Sequence, residues 1–266
     1  MSEKQIALLS AYPLASLEDG IRTIEQYARL ASEQGIQVLC TPEAYLTGYG
    51  TDQASLARAV RANETAPISS LAARYHIDIL AGFLENAADG TYYISHGIYR
   101  ADGTSDIYRK THLGQKEQTV FAAGNALPVF ELSCGICAGI SLCVENHFPE
   151  IAQTLSLRGA EVIFAPYAVP GEASGRDRIW RKYIPARGYD NRVYMACCNL
   201  KTAANGGGFF AAGPDGEELP LRDLLPEELV SVSVSREMIE KYRTGRTEMR
   251  YRYYPALRRP SLYEEP

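Results

Sequence analysis

The sequence predicts a mixed α/β fold held in a single domain, residues 1–266, and three observations predict it. Short apolar or β-branched runs alternate with longer amphipathic ones, the rhythm of strand–helix–strand units. No internal repeat, low-complexity tract or linker-like change of composition interrupts that rhythm. Hydrophobic residues supply 46% and charged residues 22% of the 266 positions, a balance that leaves ample material for a core.

The elements follow in order. QIALLS reads as a strand, SLEDGIRTIEQYARLASEQG as a helix and IQVLC as the next strand. Gly35 suits the end of that helix, because glycine adopts the left-handed conformation that helix termini require. PISSLAARYH predicts a second helix, and IDILAGFLE the strand after it. From Thr91 to Val129 the character changes: TYYISHGIYR, a turn containing Asp-Gly, TSDIYRKTHL and PVFEL predict hairpin-linked strands around a loop from Thr111 to Leu127. The alternation resumes with strand GICAGISLC, helix FPEIAQTLSLRGA, strand EVIFAP, a helix within DRIWRKYIPARGYDN and strand RVYMACCN. FFAAG, PDG and LVSVSVS predict one further hairpin. Residues 244–266 have no assignable period and are expected to form an interaction arm.

Charge and composition exclude several classes. With 27 basic against 32 acidic residues, the net charge of −5 is too small and of the wrong sign for a phosphate-binding surface, so no nucleic acid partner is expected. The opening MSEKQIALLSAYPL lacks the long apolar core and small-residue cleavage site of a secretory signal. No stretch approaches the ~18 apolar residues of a membrane helix, and the expectation is a soluble, cytoplasmic protein without a membrane partner. Cys40, Cys134, Cys137, Cys143, Cys197 and Cys198 mostly sit in apolar runs, which predicts free thiols rather than disulfides. Cys134 and Cys137 read as lying in one strand, where an offset of three puts the side chains on opposite faces and argues against zinc.

Three positions carry candidate chemistry. Cys143 ends the apolar run GICAGISLC just before a helix opened by Pro149, where free backbone N–H groups and the helix dipole favour a thiolate. Glu43 follows IQVLC in TPEAYLTGYG, at a strand's carboxyl end, and apolar neighbours raise the pKa of such a carboxylate toward that of a general base. Lys110 ends a strand in DIYRKTHL. Each has an ordinary alternative when taken alone: a core cysteine, a solvated loop glutamate and a surface lysine.

In order, TPEAYLTGY, YRKTHL with Glu117 and Phe121 downstream, SLCVENHFPE and a terminal RRPSLY resemble the nitrilase or carbon–nitrogen hydrolase superfamily over about residues 5–263. The resemblance implies a four-layer αββα sandwich in which Glu43, Lys110 and Cys143 meet. It further implies hydrolysis of a small non-peptide amide or N-carbamoyl compound through a cysteine thioester, releasing ammonia or an amine. Glu43 is then the base, Lys110 and the backbone N–H of Val144 stabilise the oxyanion, and no metal or cofactor is needed. Glu117 matches a second glutamate of many amidase branches; its alternative is an exposed charge in GQKEQT. The resemblance also implies a homodimer or larger homo-oligomer.

Glu145 and Asn146 look like the Glu-Asn pair of true nitrilases, whereas THL after Lys110 and FPE after His147 look like amidase and carbamoylase branches. An amide or ureido substrate is therefore expected, with a nitrile as the alternative. His147 invites a Cys–His reading, but four residues after Cys143 it is expected to open the next helix and shape the pocket. A non-catalytic binding or assembly protein on the same fold is the remaining alternative. Tyr167 is a candidate substrate-binding residue; Tyr49 and Trp180 could line a pocket with it, although aromatic residues of this kind more often belong to the core. Loops 168–178 and 201–208 are expected to set substrate size and charge.

Overall fold

The run QIALL has no polar face. Ile6 and Leu8 point to one side, Ala7 and Leu9 to the other, and all four are fully buried, as in a strand covered on both faces. The structure, a computed structural model, describes residues 3–169, 173–203, 206–224, 226, 228–244 and 253–263. Its first half runs β1 (Lys4–Leu9), α1 (Leu17–Glu33), β2 (Val38–Cys40), the short α2 (Gln53–Leu56) and α3 (Pro67–Tyr75). The antiparallel run β3 (Asp78–Asn86), β4 (Tyr92–Tyr99) and β5 (Ser105–Arg109) follows. The second half runs β6 (Val129–Glu131), β7 (Cys137–Ile140), α4 (Pro149–Leu157), β8 (Val162–Tyr167), α5 (Ala173–Asn191) and β9 (Tyr194–Asn199). β10 (Phe209–Ala212), β11 (Arg222–Leu224), β12 (Leu229–Val234) and α6 (Arg236–Thr244) close it.

The local chemistry of α1 is readable residue by residue. Ser16 caps it by accepting from the Asp19 N–H, and Glu18 and Asp19 sit in the first turn, where the helix dipole favours anions. Gly20, Ile24, Ala28 and Ala31 form its buried face, spaced at helical period. Gly35, at φ +74°, turns the chain back toward β2, as expected.

The strands form two sheets. One has the order β11-β12-β1-β2-β3-β4-β5 and the other β10-β9-β8-β7-β6. β1, β2 and β3 are parallel neighbours, as are β7, β8 and β9, with helices in the crossovers. One apolar cluster, including Leu8, Val38, Leu80 and Ile98 from the first sheet and Phe130, Ile140, Phe164 and Ala196 from the second, packs the sheets face to face. A second cluster packs α1 and α3 on the outer face of the first sheet, and a third packs α4 and α5 on the second. The fold is therefore the four-layer αββα sandwich, each sheet buried on both sides.

Three expectations change. FFAAG and LVSVSVS are not a hairpin: β10 pairs antiparallel with β9 in one sheet, while β12 pairs with β1 and β11 in the other. Val230, Val232 and Val234 need the inter-sheet core, and β1 offers them a full antiparallel partner. Cys134 lies in the turn before β7 rather than in the strand, with Gly135 at φ +84° beside it. His147 belongs to a separate 3₁₀ turn, Cys143–His147, rather than to the helix that Pro149 opens. Of the expected arm, residues 245–252 and 264–266 lie outside the described residues; Tyr253 hydrogen-bonds Ser156 on α4 through its hydroxyl at 2.7 Å.

Gly82, inside β3, permits the close approach on which the first catalytic candidate depends. A Cβ there would meet the Pro42 carbonyl oxygen at 2.5 Å and the Ala44 nitrogen at 2.6 Å. Backbone on both sides leaves nothing flexible to give way. Gly82→Ala is expected to destabilise the fold by about 1–3 kcal/mol in denaturant titration, and to lower turnover by displacing the 41–47 segment.

Candidate active site

Glu43, Lys110 and Cys143 each lie one to three residues beyond the C-terminal end of a strand, β2, β5 and β7 respectively. The first two come from one sheet and the third from the other, and the sandwich brings all three together. The Lys110 ammonium donates to Glu43 Oε1 and to Glu117 Oε1, both at 2.8 Å. Glu117, which the sequence left between a polar loop and the site, is buried: Tyr49 donates its hydroxyl to Oε1 at 2.8 Å, and the Gly114 N–H donates to Oε2 at 2.6 Å. Lys110 and Glu43 are each only 1% exposed, which excludes the surface-charge reading of both.

The charges do not balance: two carboxylates surround one ammonium. Burial raises the Glu43 pKa most, Lys110 opposes it, and the negative charge of Glu117 raises it further. Burial works against the Lys110 charge, but Glu43, Cys143 and Glu117 together more than offset it, and its pKa is raised. Glu43 Oε2 is buried without a hydrogen-bond partner among the described residues, so one oxygen of the carboxylate remains free to accept a proton.

Cys143 follows β7 at a sharp corner with φ +48°, a left-handed conformation that a non-glycine residue adopts only under constraint. Its neighbours supply the constraint. The Glu145 carboxylate accepts from the Leu142 N–H at 2.6 Å, and the Asn146 amide donates to the carbonyls of Ser141 at 2.8 Å and Cys143 at 3.2 Å. The other Glu145 oxygen accepts from the Tyr108 hydroxyl at 2.6 Å and from the Thr111 N–H and hydroxyl, both at 2.7 Å. Tyr108 and Thr111 flank Lys110, so one buried carboxylate fastens the lysine strand to the cysteine corner. Glu145 and Asn146 thus serve backbone geometry.

The thiolate expected from the helix dipole is not the resting form. α4 starts only at Pro149, beyond the intervening 3₁₀ turn, and burial with the Glu43 charge pushes the Cys143 thiol up to about 12 against the smaller pull of Lys110. Burial thus favours the thiol form of Cys143, within electrostatic reach of the Glu43 carboxylate. The Val144 N–H heads the turn, where it has no intrahelical acceptor.

A second group is formed by His147, Tyr167 and Tyr183, the two tyrosines within electrostatic reach of Cys143. The His147 and Tyr183 rings lie 4.6 Å apart, and the Tyr183 and Tyr167 hydroxyls are 3.0 Å apart. Burial, with the guanidiniums of Arg176 and Arg187, holds His147 below the ordinary histidine range. His147 has no hydrogen bond to Cys143 among the described residues, and the acid–base partner at the thiol is a carboxylate. Trp180 packs in the core on Tyr167 and Phe210, so it is not a pocket residue. Tyr49, Gly82 and Tyr183 have roles that the spacing of motifs did not give. A glycine inside the apolar strand IDILAGFLE was the one legible signal, since such glycines mark close backbone approach.

Glu145→Gln keeps the shape but weakens the acceptor that five donors share, the His112 N–H at 3.3 Å among them. Turnover is expected to fall at least tenfold, chiefly in kcat, and stability by about 1–3 kcal/mol, read by steady-state kinetics and thermal denaturation.

The family model for carbon–nitrogen hydrolase matches residues 5–244. A Pseudomonas protegens protein described as "Hydrolase in pqqF 5'region" is 30% identical over 257 residues, covering 92% of this chain and 85% of its own. An N-carbamoylputrescine amidase from Solanum lycopersicum is 27% identical, covering 99% and 96%. The crystal structure of a carbon–nitrogen hydrolase from Helicobacter pylori G27 superposes with a TM-score of 0.83 at 19% identity, covering 98% of this chain and 97% of that one. On these matches the chain belongs to the carbon–nitrogen hydrolase family and is an enzyme of that class.

Proposed function

We propose that this enzyme hydrolyses the carbon–nitrogen bond of a small non-peptide amide or N-carbamoyl compound through a Cys143 thioester. The observation that carries the reading is the buried Glu43 carboxylate, with one oxygen on Lys110 and the other unpartnered, acting electrostatically on the Cys143 thiol. Glu43 takes the thiol proton as the sulfur attacks the carbonyl carbon. The oxyanion is met by the Val144 N–H and by Lys110, whose ammonium has three protons and spends two on Glu43 and Glu117. Glu43 returns the proton to the departing nitrogen, which leaves as ammonia or an amine. Water then attacks the thioester with Glu43 again as base, and the acid departs with the thiol restored.

Glu117 and Tyr49 act by positioning. Their hydrogen bonds hold Lys110 between the two carboxylates rather than against Glu43 alone. His147 and Tyr167 contribute pocket wall and no proton. An amide or ureido substrate is preferred over a nitrile because THL after Lys110 and FPE after His147 look like the amidase and carbamoylase branches; the N-carbamoylputrescine amidase relative supports the same branch, while relatives described as nitrilases keep the alternative. Leu257, Leu262 and Tyr263 are exposed near the C-terminal end, which supports a homo-oligomer, to be read by sedimentation velocity.

Ammonia or amine release from small amides, ω-amides, N-carbamoyl compounds and nitriles tests the chemistry. Cys143→Ala is expected to abolish release and Glu43→Gln to lower it by about 10²–10⁴-fold, while His147→Ala retains most of it. Loss in His147→Ala with activity kept in Glu43→Gln would move the reading to a Cys–His enzyme. Release from nitriles alone would move it to a nitrilase.

The pH profile gives a second test. A base works only when unprotonated, so activity falls as pH drops through the Glu43 pKa, and that pKa is raised. The acid limb of kcat/KM is expected above the ordinary carboxylate value of about 4.3. A limb at or below that value counts against Glu43 as the base.

A further inference from the structure

The amide chemistry uses Glu43, Lys110, Cys143 and their supports, but it leaves one charge near the site unexplained. Arg176 lies near the start of α5, half-buried, with its guanidinium 5.8 Å from the centre of the Tyr167 ring. From Tyr167 the wall continues through the hydroxyl pair to Tyr183 and through the stacked ring to His147, four residues past Cys143. The same cation lowers the pKa of Cys143, of His147 and of Tyr183, so it stands within electrostatic reach of the reacting sulfur.

Among the described residues no carboxylate pairs with Arg176 and no acceptor takes its N–H groups. The described acids near it are committed elsewhere. Asp177 pairs with Arg181 at 2.9 Å, and Glu43 and Glu117 are held by Lys110. Arg187, the other cation bearing on His147, is directed at the Asn146 and His147 carbonyls. Among the described residues, the guanidinium beside Tyr167 therefore keeps its planar fork of donors unspent.

Resting on the amide-hydrolase reading, we propose that Arg176 is a specificity-determining residue that selects an anionic substrate, a small amide or N-carbamoyl compound bearing a carboxylate remote from the scissile bond. The guanidinium takes the substrate carboxylate as a bidentate partner, which orients the amide carbonyl toward Cys143. A substrate ending in an ammonium is repelled by the same group. The chain thus departs from the N-carbamoylputrescine amidase it resembles, whose named substrate ends in an amine.

Three substrates of similar length separate the effects: butyramide as neutral, succinamate as anionic and 4-aminobutanamide as cationic. Wild type is expected to favour succinamate over 4-aminobutanamide at least 100-fold in kcat/KM. Arg176→Gln is expected to lower the succinamate-to-butyramide ratio at least tenfold, mainly through KM, with Arg176→Lys restoring part of it and Arg176→Glu reversing the order of the charged pair. The neutral substrate in the ratio cancels any effect of the charge on Cys143 itself. An unchanged ratio with Cys143-dependent turnover of butyramide overturns the role of Arg176 and leaves the hydrolase reading standing. If none of the three turns over, calorimetric binding of succinamate to Cys143→Ala decides. Binding weakened at least tenfold by adding Arg176→Gln supports the proposal, and equal or absent binding overturns it.

Discussion

A lysine ammonium buried between two carboxylates is the constraint around which this molecule is arranged. An unpaired charge at that depth costs several kcal/mol, so the fold has to deliver all three groups together or none. Lys110 arrives on the end of a strand, Glu43 on the end of another in the same sheet, and Glu117 on a 3₁₀ turn in the following loop. Tyr49 and the Gly114 N–H complete the shell of Glu117. The leftover negative charge is what makes the arrangement chemically useful. It adds to burial, the larger cause, in raising the pKa of Glu43 and of the Cys143 thiol.

The geometry is held by strained backbone that its surroundings over-determine. Ala44 at φ +52° and Cys143 at φ +48° both sit just past strand ends, one in each sheet. Gly82 lets the first corner press against β3, where the Leu46 N–H reaches the Gly82 carbonyl and the Leu84 N–H reaches the Thr47 hydroxyl. Glu145 and Asn146 clamp the second. Neither corner depends on the flexible surface of the molecule, and both faces of both sheets are packed, which fixes the relative position of the two halves to within the tolerance of a close-packed core.

The order of strands and helices was legible because both periodicities are strong: β1, α1, α3, β3, α4, β8 and β9 all fall where their patterns place them. Reading failed where pairing is non-local. LVSVSV has the alternation of a strand, but alternation does not name the partner, and its partner is the first strand of the chain rather than the neighbouring FFAA. Cys134 and Cys137 looked like one strand because a two-residue turn leaves little composition signal. The structural role of Glu145 was not legible because its spacing from the cysteine is visible in the sequence and its partners Tyr108, Thr111 and His112 around Lys110 are not.

The sequence by itself determined a mixed α/β fold, the αββα class through its resemblance to a known family, and the three residues that end strands and carry the candidate chemistry. These are properties of local pattern and of motifs in order, which survive being read one residue at a time. Only the tertiary structure decided that Glu117 belongs with Lys110, that burial raises the pKa of the Cys143 thiol, that Glu145 ties two sheets together and that Arg176 lies beside the Tyr167 ring. Each of those turns on burial and on distances between residues far apart in the chain, and a pKa or an ion pair has no value until packing has removed water and fixed the neighbours.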